Sequence, residues 1–446
     1  MDDDRPEVLL TGLLFYDLVL TGLGKPPTPG EEIWTAGMGC GPGGIANLAV
    51  AASRFGLRTS LATVFGDDFY GAYCQEILAG QEGVDLSLSR VADGWHTPVT
   101  VALAHGDDRA LVTHGQEPPY SQDALMGDPP EARTALVHLE AEPRAWLSKA
   151  AASGTQIYAD VGWDPTQVWS TDLLDQLALC HAFLPNETEA MAYTRTDSAV
   201  AALGTLSELV PVAVVTRGGD GAVAVDQITG EYADVPALAV DVLDATGAGD
   251  VFGASFVAAS LGGWPLEERL RFAVLAAGLS VRHHGGALAA PGWYGVDRWW
   301  RSLTDPDLKR AYGFLADRIP ADAGPPVHYA PVTPPVRPAL LAPVAPGSEH
   351  APGTPRTRSA EHAPGTSKTP PAEHPPTSPD TPPTEHALTS PNIPSAEQAP
   401  DTPPAEQAPG TSKTPSAEHP PISPASPDTP QSAHSPVPPS DAARQH

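Results

Sequence analysis

Along the first part of the chain, short apolar runs rich in β-branched residues recur between longer stretches whose apolar positions fall at helical spacing. The runs EVLLTG from Glu7, RTSLATV from Arg58, TALVHL from Thr134, TQIYADV from Thr155 and PVAVVT from Pro211 read as buried strands. Between them, IANLAVAASRFG from Ile45, DFYGAYCQEILAG from Asp68, PRAWLSKAAASG from Pro143 and STDLLDQLALC from Ser170 read as helices. Strand and helix in alternation predict an α/β fold: a mostly parallel central sheet covered on both faces, with ligands at the carboxyl ends of the strands. Two regions break the alternation. From Phe15 to Trp34 and from Pro98 to Thr113, the runs YDLVL, EEIW, PVTVALA and RALVT, with a hairpin turn at His105 to Asp108, predict a small separate β-sheet. Such a sheet, over segments of about 13–36 and 97–114, would serve as a lid over a substrate or be a set of ordinary edge strands.

Composition divides the chain near residue 320. Of the 52 Pro in 446 residues, 34 lie from Pro320 onward, where Tyr329 is the only aromatic residue. Residues 1–319 therefore have the apolar content for one large α/β domain, while 320–446 cannot build a core. In that tail Glu349, Glu361, Glu373, Glu385 and Glu397 recur every 12 residues, followed by Glu406 and Glu418, each with His or Gln after it. So polar and Pro-rich a repeat predicts disorder with polyproline II character, and its histidines meet no preorganised metal geometry.

Charge narrows the partners. A net charge of −29 argues against nucleic acid and against anionic membranes, and an anionic ligand must then be held by local donors. Cys40, Cys74 and Cys180 lack zinc-ligand spacing and suit free thiols in a reducing cytoplasm. The chain shows neither a long apolar N-terminal run nor a segment of membrane-spanning length.

The segment carrying most chemistry is Asp244-Ala-Thr-Gly-Ala-Gly-Asp250, followed by VFGASFVAASL. Small residues between two carboxylates, then a helical apolar run, describe a tight turn opening a buried helix. The N–H groups of Gly247, Ala248, Gly249 and Asp250 would point at an anion, and Asp250 at the lip could take a proton from a hydroxyl attacking phosphate. A plain strand-to-helix connection, with Asp250 as a first-turn carboxylate, fits these seven residues equally well. Other segments carry similar alternatives. Asp17 could accept hydrogen bonds from adjacent sugar hydroxyls or end a surface turn. Gly43 and Gly44 allow close approach of backbone to ligand, with Asn47 contacting a hydroxyl or capping a helix. Asn186 and Glu189 share a helix face, where they could hold Mg²⁺ through water or form a capping pair. Thr216, Gly218, Gly219 and Gly221 read as a loop or a sharp hairpin, and RFAVLAAGLSVRHHGGA reads as a helix ending at Gly285.

Taken together and in order, Gly12 to Asp17, GPGGIANLAVAASRFG from Gly41, Asn186-Glu-Thr-Glu189, TRGGDGAV from Thr216 and DATGAGD resemble the ribokinase-like (PfkB) family of sugar and nucleoside kinases. The resemblance covers roughly residues 7 to 300. It implies a three-layer α/β/α fold with a β-sheet lid, ATP and Mg²⁺ as cofactors, Asp250 as general base and Gly247 to Asp250 as anion hole. It implies also that Asp17, Gly43, Gly44, Asn47 and Glu140 bind the acceptor and that Asn186, Thr216, Gly218 and Gly221 meet the nucleotide. Glu189 with Asn186 would hold Mg²⁺ through water, and Asp244 with carbonyls near Thr246, Ser280 and Gly285 could hold K⁺. The acceptor is then a small sugar or polyol, with a homodimer through the lid as a further partner. A nucleoside kinase, with Phe15, Tyr16 and Trp34 stacking on a base, and a non-catalytic sugar or nucleotide sensor are the alternatives.

Overall fold

The structure, a computed structural model, describes residues 5–105, 108–162, 164 and 166–324. The repeat expected in the tail lies outside the described residues. Strands β1 (Val8–Thr11), β2 (Leu14–Thr21), β3 (Gly37–Gly44), β4 (Thr59–Ala62), β5 (Val64–Gly66), β6 (Arg90–Ala92), β7 (Val99–His105) and β8 (Asp108–His114) are followed by β9 (Thr134–Leu139) and β10 (Gln156–Val161). After these come β11 (Ala182–Phe183), β12 (Val212–Thr216), β13 (Ala222–Asp226) and β14 (Glu231–Val235). Eight of them form the main sheet in the order β14-β13-β12-β11-β10-β9-β1-β4. From β4 to β12 every pair is parallel, and the two pairs at the β14 edge are antiparallel.

Side-chain alternation explains why this sheet is buried on both faces. In β1, Val8 and Leu10 enter one core while Leu9 enters the other; in β9, Leu136 faces the first while Ala135, Val137 and Leu139 face the second. The first core is closed by α1 (Ile45–Arg54), α7 (Ala248–Leu261) and α8 (Leu266–Ser280), with Phe256 of α7, Phe272 of α8 and Trp264 of the connection between them buried in it. The second is closed by α4 (Ala145–Ala152), α5 (Glu187–Thr194) and α6 (Ala199–Ser207), through Trp146, Leu147, Tyr193 and Leu203. The short helices α2 (Phe69–Gln75) and α3 (Gln122–Met126) complete the connections used below.

The small sheet has the order β3-β2-β7-β8, with β7 and β8 antiparallel and His105 opposite Asp108; the two residues between them in the expected turn lie outside the described residues. Its membership differs from expectation: Glu31 to Trp34 form no strand, and the antiparallel partner of β2 is the glycine-rich GMGCGPGG of β3. Strand propensity is low in that segment, but pairing along all eight residues of β2 overrides it. Asp17 consequently lies inside a strand rather than ending a turn. Thr171–Leu179 is a 3₁₀ helix rather than an α-helix, and the helix expected to reach Gly285 stops at Ser280. Among the described residues no helix is long and apolar enough to cross a membrane.

Candidate active site

The N-terminus of α7 is the centre of the site. Gly247 caps it with φ 73, a conformation that favours glycine, and a Cβ there would come within 3.0 Å of the Asn47 amide. The turn is thereby pressed against α1. Asn47, the third residue of α1 and not its cap, donates from Nδ2 to Asp250 Oδ2 at 2.9 Å. Its Oδ1 is buried without a hydrogen-bond partner, a deficit that a donor from a bound molecule would relieve. The Ala248 N–H donates to the Ala245 carbonyl at 3.3 Å, so that member of the expected anion hole is already engaged.

Asp17 approaches from the small sheet. Its carboxylate lies over Gly43, where a Cβ would fall 1.8 Å from Oδ2, so only glycine leaves the room it occupies. Burial, and then the charges of Asp244 and Asp250, push the Asp17 carboxyl up to about 7, with Arg109 opposing. Arg109, on β8, also donates to Thr246 Oγ1 at 3.0 Å and so ties the small sheet to the turn before α7. Gly44 ends β3 and leads straight into α1.

Two further side chains belong here that sequence reasoning missed. His138 Nε2 lies 3.5 Å from Asp250 Oδ1, and Asp160 is its register partner on β10. The signal was alternation: Leu136 and Tyr158 face the first core, so His138 and Asp160, two residues on, face the same side, under α7. Burial opposes the His138 imidazolium, but the hydrogen bond and charge of Asp250, with Asp160 and Glu189, outweigh it and raise the group to about 9. Asp160 is raised to about 8 by burial, despite the His138 charge.

Other expected residues are placed less centrally. Glu140 is exposed, bonded by Gln122 and paired with Arg144, and no described contact ties it to Asp17, Asn47 or Asp250. Asn186 and Glu189 form a full capping box on α5, each side chain accepting from the other's backbone N–H at 3.0 Å. Burial raises the Glu189 carboxyl above its usual range. Asn186 pairs with Thr216 through an isolated β-bridge, which brings the box beside the β12 end. The turn from Thr216 to Gly221 is indeed a hairpin between β12 and β13, and it also forms one wall of a cleft of about 470 Å³. The other walls are Leu238, Val240, Phe252, Val274 and Gly278, and Ala248 and Gly249 open into it from the α7 turn. An apolar slot running to a helix N-terminus suits a planar base with phosphates attached. Asp244 is buried and cross-links two loops, accepting from the Thr246 N–H at 2.9 Å and the Gly285 N–H at 3.2 Å. The Ser280 hydroxyl donates to the Ala277 carbonyl, and Gly285 starts a short 3₁₀ turn rather than ending a helix. No group of three or more metal-ligating side chains occurs among the described residues.

Residues 5–292 match the model of the pfkB family carbohydrate kinase. The chain belongs to that family. Among relatives of this pfkB kinase, an ATP-dependent ribose-1-phosphate kinase of Halopiger xanaduensis is 27% identical over 286 residues, covering 64% of this chain and 94% of the relative. A nucleoside kinase of Methanothermobacter thermautotrophicus is 28% identical over 294 residues, covering 64% and 92%. In fold, the pfkB chain is similar to the Arabidopsis thaliana ribokinase complexed with ribose and ATP, with a TM-score of 0.56 and 24% identity over 67% of this chain and all of that one. The mostly parallel sheet with its small companion is thus the ribokinase-like fold, and the chain is an ATP-dependent sugar or nucleoside kinase of the pfkB family.

Proposed function

We propose that this kinase transfers the γ-phosphoryl group of ATP to a hydroxyl of a small sugar or related polyol, with Asp250 as general base. The observation that carries the reading is the convergence of Asp250, Asn47 and Asp17 in front of the α7 turn. Asp17 and the unpartnered Asn47 Oδ1 are acceptors suited to adjacent hydroxyls, and Gly43 and Gly44 let the ligand come close to backbone. As the acceptor oxygen bonds to phosphorus and the bond to the ADP oxygen breaks, the hydroxyl proton passes to Asp250. The N–H groups of Gly247, Gly249 and Asp250 would face the charge that develops on the phosphoryl oxygens, with Ala248 released from its turn bond.

The nucleotide reading rests on the cleft between the Thr216–Gly221 hairpin and α8. Mg²⁺ would screen the phosphates, and Asn186 with Glu189, fixed by their mutual bonds, would hold its water ligands. K⁺ would find carbonyl oxygens around Thr246, Ser280 and Gly285, with Asp244 holding those loops together. Residues 1–319 would carry the activity alone, so deleting the chain after Pro320 leaves turnover unchanged. Pairing of two copies through the small sheet would use its β8 edge, where Leu111 and Val112 are exposed.

Tyr16 is not placed to stack on a base. It alternates with Asp17 along β2 and so faces the other side, where it packs on Tyr70 at 4.8 Å and Tyr73 at 5.6 Å, away from an acceptor held by Asp17. An ADP-release screen over pentoses, hexoses, sugar acids and nucleosides tests the assignment. Turnover with none of them, alongside ligand-induced thermal stabilisation, would support the sensor instead.

A further inference from the structure

We infer that His138 is a positioning residue that locks the Asp250 carboxylate in place. The inference rests on the kinase reading above and deepens it. Asp250 sits in the first turn of α7, and among the described contacts no hydrogen bond from its own helix fixes its rotamer. Two outside groups do. Asn47 of α1 holds Oδ2 at 2.9 Å, and His138 at the end of β9 faces Oδ1 at 3.5 Å. One tether leaves a carboxylate free to rotate about that bond; two tethers from different elements fix its plane.

His138 suits the task by its own placement. It is anchored on a strand that lies between β1 and β10 in the sheet, past the last residue paired with β1 and directly opposite Asp160 of β10. Its charged neighbours are all carboxylates: Asp250 at the α7 turn, Asp160 across the register on β10, and Glu189 at the start of α5. A small apolar residue at this position would remove the group facing Oδ1 and leave Asp250 held through Oδ2 alone. Some 38% of the side chain remains exposed, so the imidazole is not packed there as a filler of the core. In the reaction it exchanges no atoms: the acceptor proton moves to Asp250, and His138 remains the donor that keeps the carboxylate aimed.

The test compares the wild-type chain with His138→Ala, His138→Gln and His138→Asn, using the acceptor that the ADP-release screen selects. The Gln amide can reach the place of the ring Nε2, whereas the Asn amide reaches only that of Nδ1. We expect His138→Ala to lower kcat by about 10- to 100-fold, the scale of a misplacement near 1 Å, with little change in either KM. His138→Gln should recover most of that loss and His138→Asn little of it. A wild-type kcat for His138→Ala, a raised acceptor KM at unchanged kcat, or Asn rescuing better than Gln would each overturn the inference. Should His138→Ala fail to fold, the Gln and Asn pair decides alone. A wild type that phosphorylates nothing refutes the kinase reading separately. In that case crystal structures of wild type and His138→Gln and His138→Asn decide on position: Asp250 displaced in Asn alone supports the tether, and Asp250 unmoved in both overturns it.

Discussion

Replacing Gly43 by Ala places a methyl group where the Asp17 carboxylate now lies. The added Cβ would stand 1.8 Å from Oδ2, 2.2 Å from the carboxyl carbon and 2.6 Å from Oδ1. Ordinary contact begins near 3.4 Å, so the carboxylate must retreat by about 1.6 Å or β3 must move away from β2. A shift of that size breaks both hydrogen bonds to an acceptor, each worth about 1.5–3 kcal/mol for a charged group. The expected outcome is a fall in acceptor kcat/KM of at least about 100-fold, since each ~1.4 kcal/mol is a factor of ten, while the KM for ATP stays near wild type. Overpacking should cost about 1–3 kcal/mol in stability. Gly204→Ala, on the exposed side of α6 with nothing near its added Cβ, is the control and should stabilise slightly. Coupled ADP-release kinetics with urea unfolding on the same samples measure both effects. If Gly43→Ala kept the wild-type acceptor KM and kcat, Asp17 would not be the acceptor ligand and the reading of the small sheet would fall.

Other expectations follow from the same geometry. Asp250→Asn should lower kcat by about 10²–10⁴-fold and leave sugar binding measurable by calorimetry; full turnover would remove Asp250 from the mechanism. Stability should decline as pH rises from 5 to 9: the raised Asp17 and Asp160 carboxyls lose favourable protonation through about 7 and 8, and the His138 contribution is lost through about 9. Melting curves across that range check the slope, and Asp17→Asn should flatten it. Asn186→Ala removes one half of the capping box and should cost about 1 kcal/mol in urea unfolding without nucleotide or metal. Arg54→Met leaves Glu82 buried without the guanidinium that now bonds it at 2.7 Å and should cost about 3–5 kcal/mol; an unchanged unfolding midpoint would contradict that.

Much of this was legible in the chain because both cores reward strict alternation. TALVHL and PVAVVT could be read as strands from apolar content alone, since each is buried on two faces. The small sheet was legible in YDLVL and RALVT but not in GMGCGPGG, where the absence of side chains is what β3 needs in order to pass under Asp17. Glu31 to Trp34 misled for the opposite reason: EEIW read as a strand, yet no strand forms there and Trp34 is 84% exposed. In the site, DATGAGD was visible because glycine leaves a mark on the sequence. His138 and Asp160 were hidden, because a polar residue closing an apolar run also looks like the end of a strand, and only the register between β9 and β10 shows that the two meet.

Strand β3 passes into α1 at Gly44 with no residue between them, so the floor beneath Asp17 and the amide of Asn47 belong to one continuous piece of chain, while Asp250 belongs to another. A sugar with neighbouring hydroxyls can touch both pieces at once. Water has neither the reach nor the paired hydroxyls, so it draws no advantage from the arrangement. On the roles proposed for these residues, ATP held without an acceptor should be consumed only slowly.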